Sequence, residues 1–184
     1  MKNQDKMQII KTEFKGVYII NPKVFKDKRG FFMETYKKGA YSFLNTDFVQ
    51  DNLSKSKKNV LRGLHFQNPP FAQDKLVSVP KGAVLDVIVD LRKDQPTYGK
   101  HFAIKLSEKN KKQLFIPKGF AHGFVSLKKG TIFTYKCSNI YDASSEVSIN
   151  PMDETLNINW KTENLIISDK DLNGIDFKSF KSPF

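Results

Sequence analysis

Apolar residues recur along this chain in short runs, each closed by a turn signal. Residues 17–20, 31–36, 60–67, 75–79, 83–91, 102–106, 113–116, 121–127 and 131–137 have strand length and are rich in β-branched or aromatic side chains. Between them stand Asn21-Pro22, Lys28-Arg29-Gly30, Pro80-Lys81-Gly82, Asp94-Gln95-Pro96 and Lys128-Lys129-Gly130, which are turn formers. Many short strands at this spacing predict an all-β fold, an antiparallel sandwich or barrel. No long segment keeps a 3.6-residue period, which argues against a helical bundle or a βαβ fold. Short peripheral helices are expected over residues 37–44 and after Ser168.

The run Ala83-Val-Leu-Asp-Val-Ile-Val-Asp-Leu91 departs from simple alternation, because both parities are apolar. One parity carries Leu85, Val87, Val89 and Leu91; the other carries Val84, Asp86, Ile88 and Asp90. A strand covered on both faces explains this. Asp86 is then a buried carboxylate, and a buried charge needs a partner, for which Lys or His is the natural candidate.

The 184 residues suffice for one domain with a real core, so residues 1–184 read as a single unit. Residues 1–10 read as a flexible or partner-contacting extension. Met1-Lys-Asn-Gln-Asp-Lys-Met7 has no apolar h-region, and no run of about 18 apolar residues follows, so neither a signal peptide nor a membrane span is expected. Cys137 is the single cysteine, which excludes an intrachain disulfide and fits the cytoplasm. The formal charge is +12, but the positive residues are mostly scattered lysines rather than one arginine stripe interleaved with aromatics, so nucleic acid is not the expected partner. The charge reads first as a lysine-rich surface set by genome composition, and second as a field that draws in a small phosphate-bearing substrate.

Two of the three histidines sit in strand-like runs beside glycine. His65 lies in Val60-Leu-Arg-Gly-Leu-His-Phe-Gln67, with Lys75 just downstream. A regular strand puts Arg62 and His65 on opposite faces. Either Gly63 carries a bulge or Arg62 serves another surface. His122 closes Pro117-Lys-Gly-Phe-Ala-His122, the pattern of the second cupin motif, where the histidine often binds metal. The companion His-x-His pair and Glu are missing, and two histidines without matched carboxylates make a poor metal site, so no metal is expected and His122 reads as a substrate contact or a structural histidine near the pocket. Tyr135 is either core packing or a general acid facing His65. Ser168, Asp169 or Asp171 could cap a short helix.

Taken in order, eight motifs resemble the dTDP-4-dehydrorhamnose 3,5-epimerase family of deoxysugar nucleotide biosynthesis. They are Asp27-Lys-Arg-Gly-Phe-Phe-Met-Glu34, Gln50-Asp-Asn-Leu-Ser-Lys-Ser56, the His65 segment, Ala72-Gln-Asp-Lys-Leu-Val77, Asp86-Val-Ile-Val-Asp-Leu-Arg92, Ile116-Pro-Lys-Gly-Phe-Ala-His-Gly-Phe124, Tyr135-Lys-Cys137 and Ser168-Asp-Lys-Asp171. The resemblance implies a cupin-type jelly roll, a homodimer made by strand exchange, a nucleotide-sugar substrate, no cofactor, and a product destined for a polysaccharide. It implies His65 as general base, Asp171 as the carboxylate that orients it, Tyr135 as general acid, Lys75 as the cation at the C4 oxygen, and Asp86 as an inward aspartate of the site. Arg29, Phe32, Glu34, Gln50, Asn52, Arg62, His122 and Tyr141 match positions that contact nucleotide or sugar, some of them in a neighbouring subunit's pocket. Two stretches depart from the family's habit: residues 140–146 and the tail after Asp171. The implied reaction inverts the carbons flanking a ketone. It needs a base, a positive group at the oxygen and a proton donor on the opposite face. Epimerisation at one carbon only, keto-isomerisation, a metal-dependent oxygenase and a non-catalytic sugar-binding jelly roll are the rival readings.

Overall fold

The structure is a computed structural model that describes residues 6–184. Among these, thirteen strands and one short helix occur: β1 (Gln8–Lys11), β2 (Tyr18–Asn21), β3 (Phe25–Asp27), β4 (Gly30–Phe32), β5 (Gln50–Ser56), β6 (Leu61–Gln67), β7 (Lys75–Lys81), β8 (Ala83–Asp90), β9 (His101–Ser107), β10 (Gln113–Ile116), β11 (Phe120–Ser126), β12 (Thr131–Cys137), β13 (Glu146–Ser148) and α1 (Asp169–Leu172). A six-stranded sheet runs β1-β2-β10-β7-β12-β5 and a five-stranded sheet runs β13-β6-β11-β8-β9, with all pairings antiparallel. This is the sandwich that the turn spacing predicts.

Three apolar layers hold it together. The first fills the space between the sheets and includes Val77, Val84, Ile88, Leu114, Phe124 and Phe133. The second lies on the outer face of the five-stranded sheet, where Leu64, Phe66, Val87, Val89 and Leu91 meet Leu156, Trp160, Phe177, Phe180 and Phe184 from residues 149–184. The third packs Tyr41 and Leu44 onto Ile20, Leu76 and Phe115 on the far side of the six-stranded sheet. The two-parity pattern of β8 is thus explained: Val84 and Ile88 face the inter-sheet layer, and Val87 and Val89 face the outer one.

Several local expectations are corrected. Of residues 31–36, only the first two are strand, closing the β3–β4 hairpin. Residues 37–44 form turns and a single 3-10 turn over Ser42–Leu44, ended by Asn45 in the left-handed region. β1, β3, β5 and β13 were not foreseen. Gln8–Lys11, which begins inside the extension expected over residues 1–10, pairs with β2 as an exposed edge strand, and residues 1–5 lie outside the described residues. No helix among the described residues is long and apolar enough to cross a membrane.

Candidate active site

β6 and β11 approach each other unusually closely at Gly63 and Gly123. A Cβ on Gly63 would stand 2.5 Å from the Gly123 Cα and 2.8 Å from the His122 carbonyl oxygen, and Gly63 has φ +127°. No other residue fits there. The pairing register slips at this point, from His122 opposite His65 to Phe124 opposite Arg62. Two residues of β6 therefore oppose one of β11, which is a β-bulge. The bulge resolves the question left open by sequence: Arg62 and His65 both line one cavity, together with Ser54, Lys75, His122, Tyr135 and Asp171.

That cavity has a volume of about 310 Å³. A recess of about 240 Å³ adjoins it, sharing His65, Lys75 and Tyr135 and adding Gln50, Asn52, Tyr141 and Glu146. The walls come from opposite sheets. His65 and His122 stand on the five-stranded sheet; Lys75, Tyr135 and the inward face of β5 stand on the six-stranded sheet. The Lys75 ammonium is 6.0 Å from the centre of the Tyr135 ring.

His65 Nε2 lies 2.7 Å from Asp171 Oδ1, and the Gly63 N–H donates to Asp171 Oδ2 at 3.3 Å. Burial pushes the Asp171 carboxyl up, but His65, the Gly63 amide and Ser168 outweigh it and hold it below the ordinary value of 3.8. An ionised carboxylate only accepts, so Nε2 carries the ring proton and Nδ1 is the basic atom. Ser168 caps α1, accepting from the Asp171 N–H at 3.2 Å, which fixes the turn that presents the carboxylate.

A second pair sits beside the first. His122 Nε2 is 3.0 Å from Asp86 Oδ2, and Asp86 is fully buried. Its Oδ1 has no hydrogen-bond partner. Burial raises the Asp86 carboxyl, opposed by His122 and Lys75. Burial likewise lowers the Lys75 ammonium, opposed by Cys137, Glu146 and Asp86. The Tyr135 phenol is pushed up by burial and by Cys137 and Glu146, against Arg62. Both histidines thus have matched carboxylates, contrary to the sequence reading. Each pair is nonetheless a single imidazole with a single carboxylate, and no group of three or more potential ligands is placed to hold a metal among the described residues.

Gln50, Asn52 and Tyr141 flank the mouth of the recess. The Tyr141 N–H donates to Gln50 Oε1 at 2.8 Å, and Gln50 Nε2 donates to Asn52 Oδ1 at 3.1 Å. Arg62 Nε donates to Ser56 Oγ at 3.2 Å. Arg29, Phe32 and Glu34 are not brought into this cavity: they lie on and beside the exposed β3–β4 hairpin, with Arg29 paired to Asp27 at 2.5 Å. Two cavity residues escaped sequence reasoning. Glu146 accepts from the Tyr141 hydroxyl at 3.1 Å and is paired with Lys170. Nothing in the sequence joins residues 24 positions apart across a cavity mouth, although Lys170 adjoins Asp171.

A family model described as dTDP-4-dehydrorhamnose 3,5-epimerase matches residues 11–179. The chain is 53% identical over 157 residues to a dTDP-4-dehydrorhamnose 3,5-epimerase of Salmonella typhimurium, spanning 84% of this chain and 86% of that one. It is similar to the crystal structure of the enzyme so named from Elizabethkingia anophelis, with TM-score 0.88 and 47% identity over 94% of this chain and 97% of that one. A dTDP-6-deoxy-D-glucose-3,5-epimerase from Legionella pneumophila, solved in complex with dTDP-4-keto-L-rhamnose, gives TM-score 0.91 and 44% identity over 95% of both chains. The cupin-type jelly roll expected from the motifs is the fold these structures share with this chain.

Proposed function

Because the chain belongs to the dTDP-4-dehydrorhamnose 3,5-epimerase family and is an isomerase of that class, we propose a mechanism in which His65 removes the protons that flank the C4 ketone. The reaction inverts C3 and C5 of dTDP-4-dehydro-6-deoxyglucose to give dTDP-4-dehydrorhamnose. The observation that carries the mechanism is the His65–Asp171 pair, opening on a cavity whose opposite wall holds Lys75 and Tyr135.

A carbon acid beside a ketone ionises only if its electrons pass to the carbonyl oxygen. His65 Nδ1 takes the proton, contributing roughly 10²–10⁴-fold. Asp171 steadies the imidazolium that results and keeps the tautomer fixed. Lys75 stabilises the enolate oxygen; one donor of this kind supplies about 3–4 kcal/mol in a dry site. Asp86, within electrostatic reach of Lys75, favours the charged ammonium that this role needs. Tyr135, on the sheet opposite His65, returns a proton to the other face of the carbon, which is inversion. Arg62 is the fork-shaped anchor for the diphosphate, His122 a sugar contact, and Gln50, Asn52 and Tyr141 the nucleotide's neighbours at the mouth.

The active unit is a homodimer in the cytoplasm. Its support is the β3–β4 hairpin: a two-stranded sheet with both strands exposed, carrying Phe25, Phe31 and Phe32 in the open. Exchange of this hairpin or of an edge strand brings Arg29, Phe32 and Glu34 to the partner's pocket. A single buried cysteine fits a reducing compartment.

Proton NMR with dTDP-4-keto-6-deoxyglucose in deuterium oxide tests the reading. Exchange at both C3 and C5 supports it, and exchange at one carbon alone would replace it with single-site epimerisation. Tyr135→Phe should still wash deuterium into the sugar while completing inversion poorly; equal loss of both would deny the two residues separate roles.

A further inference from the structure

Asp171 stands on one turn of helix in a strap that crosses the outer face of the five-stranded sheet. A four-residue helix cannot hold its own shape in water. The place of Asp171 is therefore set by how the strap is fastened on either side. Upstream, the Leu61 N–H donates to the Ile166 carbonyl at 2.9 Å, and the Ile166 N–H donates to the Asn59 carbonyl at 2.9 Å. Downstream, the Ile175 N–H donates to the Ser148 carbonyl at 2.9 Å, and Gly174 lies so close to Ile149 and Asn150 that a Cβ would stand 2.6 Å from the Asn150 nitrogen.

Past that point the fastening is aromatic. The rings of Phe180 and Phe184 meet Phe66 edge-on, with centroids 5.5 and 5.9 Å away and planes at 72° and 66°. The Ser182 hydroxyl between them donates to the Leu91 carbonyl, and the Lys93 N–H donates to the Phe184 carbonyl at 3.3 Å. Phe66 is 4% exposed and follows His65 directly on β6. Neighbouring residues on a strand face opposite ways, so the clasp closes on one side of β6 while the imidazole projects from the other. Residues 180–184 also lie past the segment 11–179 that the family model matches.

We infer that Phe180 and Phe184 are positioning residues for proton abstraction: by clasping Phe66 they hold both ends of the His65–Asp171 pair in register. This rests on the reading of His65 as the base. The clasp touches one partner through the strand that bears it and the other through the strap that bears it. Its loss lets the carboxylate drift from Nε2 without altering any group in the cavity.

The test is a double-mutant cycle on the full chain. The pair Phe180→Ala and Phe184→Ala should lower kcat for C–H exchange by roughly 10- to 100-fold, the scale on which a misplacement of about 1 Å acts. KM should change little. In an Asp171→Asn background the same pair should change kcat by less than about twofold, because the contact it protects is already gone. Phe180→Leu with Phe184→Leu should restore most of the rate, and it carries the cycle if the alanine pair does not fold. Leu127→Ala, which thins the same apolar layer without removing a ring of the Phe66 clasp, should leave kcat unchanged. Losses of equal size in both backgrounds, or a rise in KM alone, would overturn the proposal. The His65 Nε2 proton, followed by nitrogen-edited NMR, reads the clasp without turnover: it should exchange with solvent faster in the alanine pair, and unchanged protection would sink the clasp. A wild-type chain that exchanges no carbon-bound proton would instead refute the base.

Discussion

Two carboxylate–imidazole pairs stand side by side in this molecule, on histidines that face each other across the β6–β11 ladder, and they are tuned in opposite directions. In the first, His65 keeps 28% of its side chain exposed to the cavity and Asp171 has a backbone amide and a helix cap to support its charge. In the second, His122 and Asp86 are almost closed off, and one Asp86 oxygen has no partner. Asp171 is held below the ordinary carboxylate range, whereas Asp86 is pushed above it. Burial alone does not make the difference. Asp90, on the same strand as Asp86, accepts from Arg92 at three nitrogens and from Thr97, and those donors outweigh burial and lower its carboxyl. Depth of burial and the number of donors together decide whether a buried aspartate is held as an anion or sits under a penalty for its charge.

The contrast breaks most sharply under amide substitution. Asp171→Asn should cut kcat for exchange by about 10³–10⁴-fold, since an amide can donate to Nε2 and fix the wrong tautomer, as seen when a triad aspartate is replaced. Steady-state kinetics with unchanged nucleotide affinity would check it, and a loss below tenfold would mean that Asp171 does not orient the base. Asp86→Asn should cost far less, about tenfold, and its mark should lie in the pH profile. Asp86 favours the Lys75 ammonium, which burial already weakens, so its removal should move the alkaline limb of kcat toward lower pH. An unmoved limb would disconnect Asp86 from Lys75.

Stability should separate the pairs in the opposite sense. Asp171 and Asp90 have folded values below 3.8, so the stability they lend is complete above that value and disappears as pH falls through the depressed one. Asp171→Asn and Asp90→Asn should each lower stability at neutral pH by about 1–3 kcal/mol and flatten the acid limb of a denaturant titration. Asp86 has a folded value above 3.8, so it costs stability as pH rises through the window between the two values. Asp86→Asn should therefore be neutral or stabilising at pH 7, and a loss matching that of Asp171→Asn would erase the contrast.

The strands built mostly of apolar residues were legible in the sequence, because a core demands alternation or continuous apolar runs; β8, β10 and β12 fall where their patterns put them. β5 was illegible for a functional reason. Its inward residues Gln50, Asn52 and Ser54 line cavities rather than core, so the strand that most directly serves the site carries no hydrophobic period. His65, Lys75, Tyr135 and Asp171 stood out locally as candidates, but their joint roles were legible only through motif resemblance, since they come from four separate elements and converge by topology. The bulge at Gly63 was suspected from its glycine, but its partner glycine at 123 and the close approach they share depend on register, which no local pattern encodes. Glu146 and Lys170 remained invisible because an ion pair across a cavity leaves no periodic trace.

The central claim is that the imidazole at position 65 pulls hydrogen from carbon beside the ketone. The most direct measurement is deuterium incorporation into dTDP-4-keto-6-deoxyglucose by the His65→Ala chain, followed by proton NMR beside wild type, with nucleotide binding measured on the same sample. We expect exchange at C3 and C5 to fall to about a thousandth of the wild-type rate while dTDP still binds. Exchange within about tenfold of wild type would contradict the assignment and move the base elsewhere in the cavity.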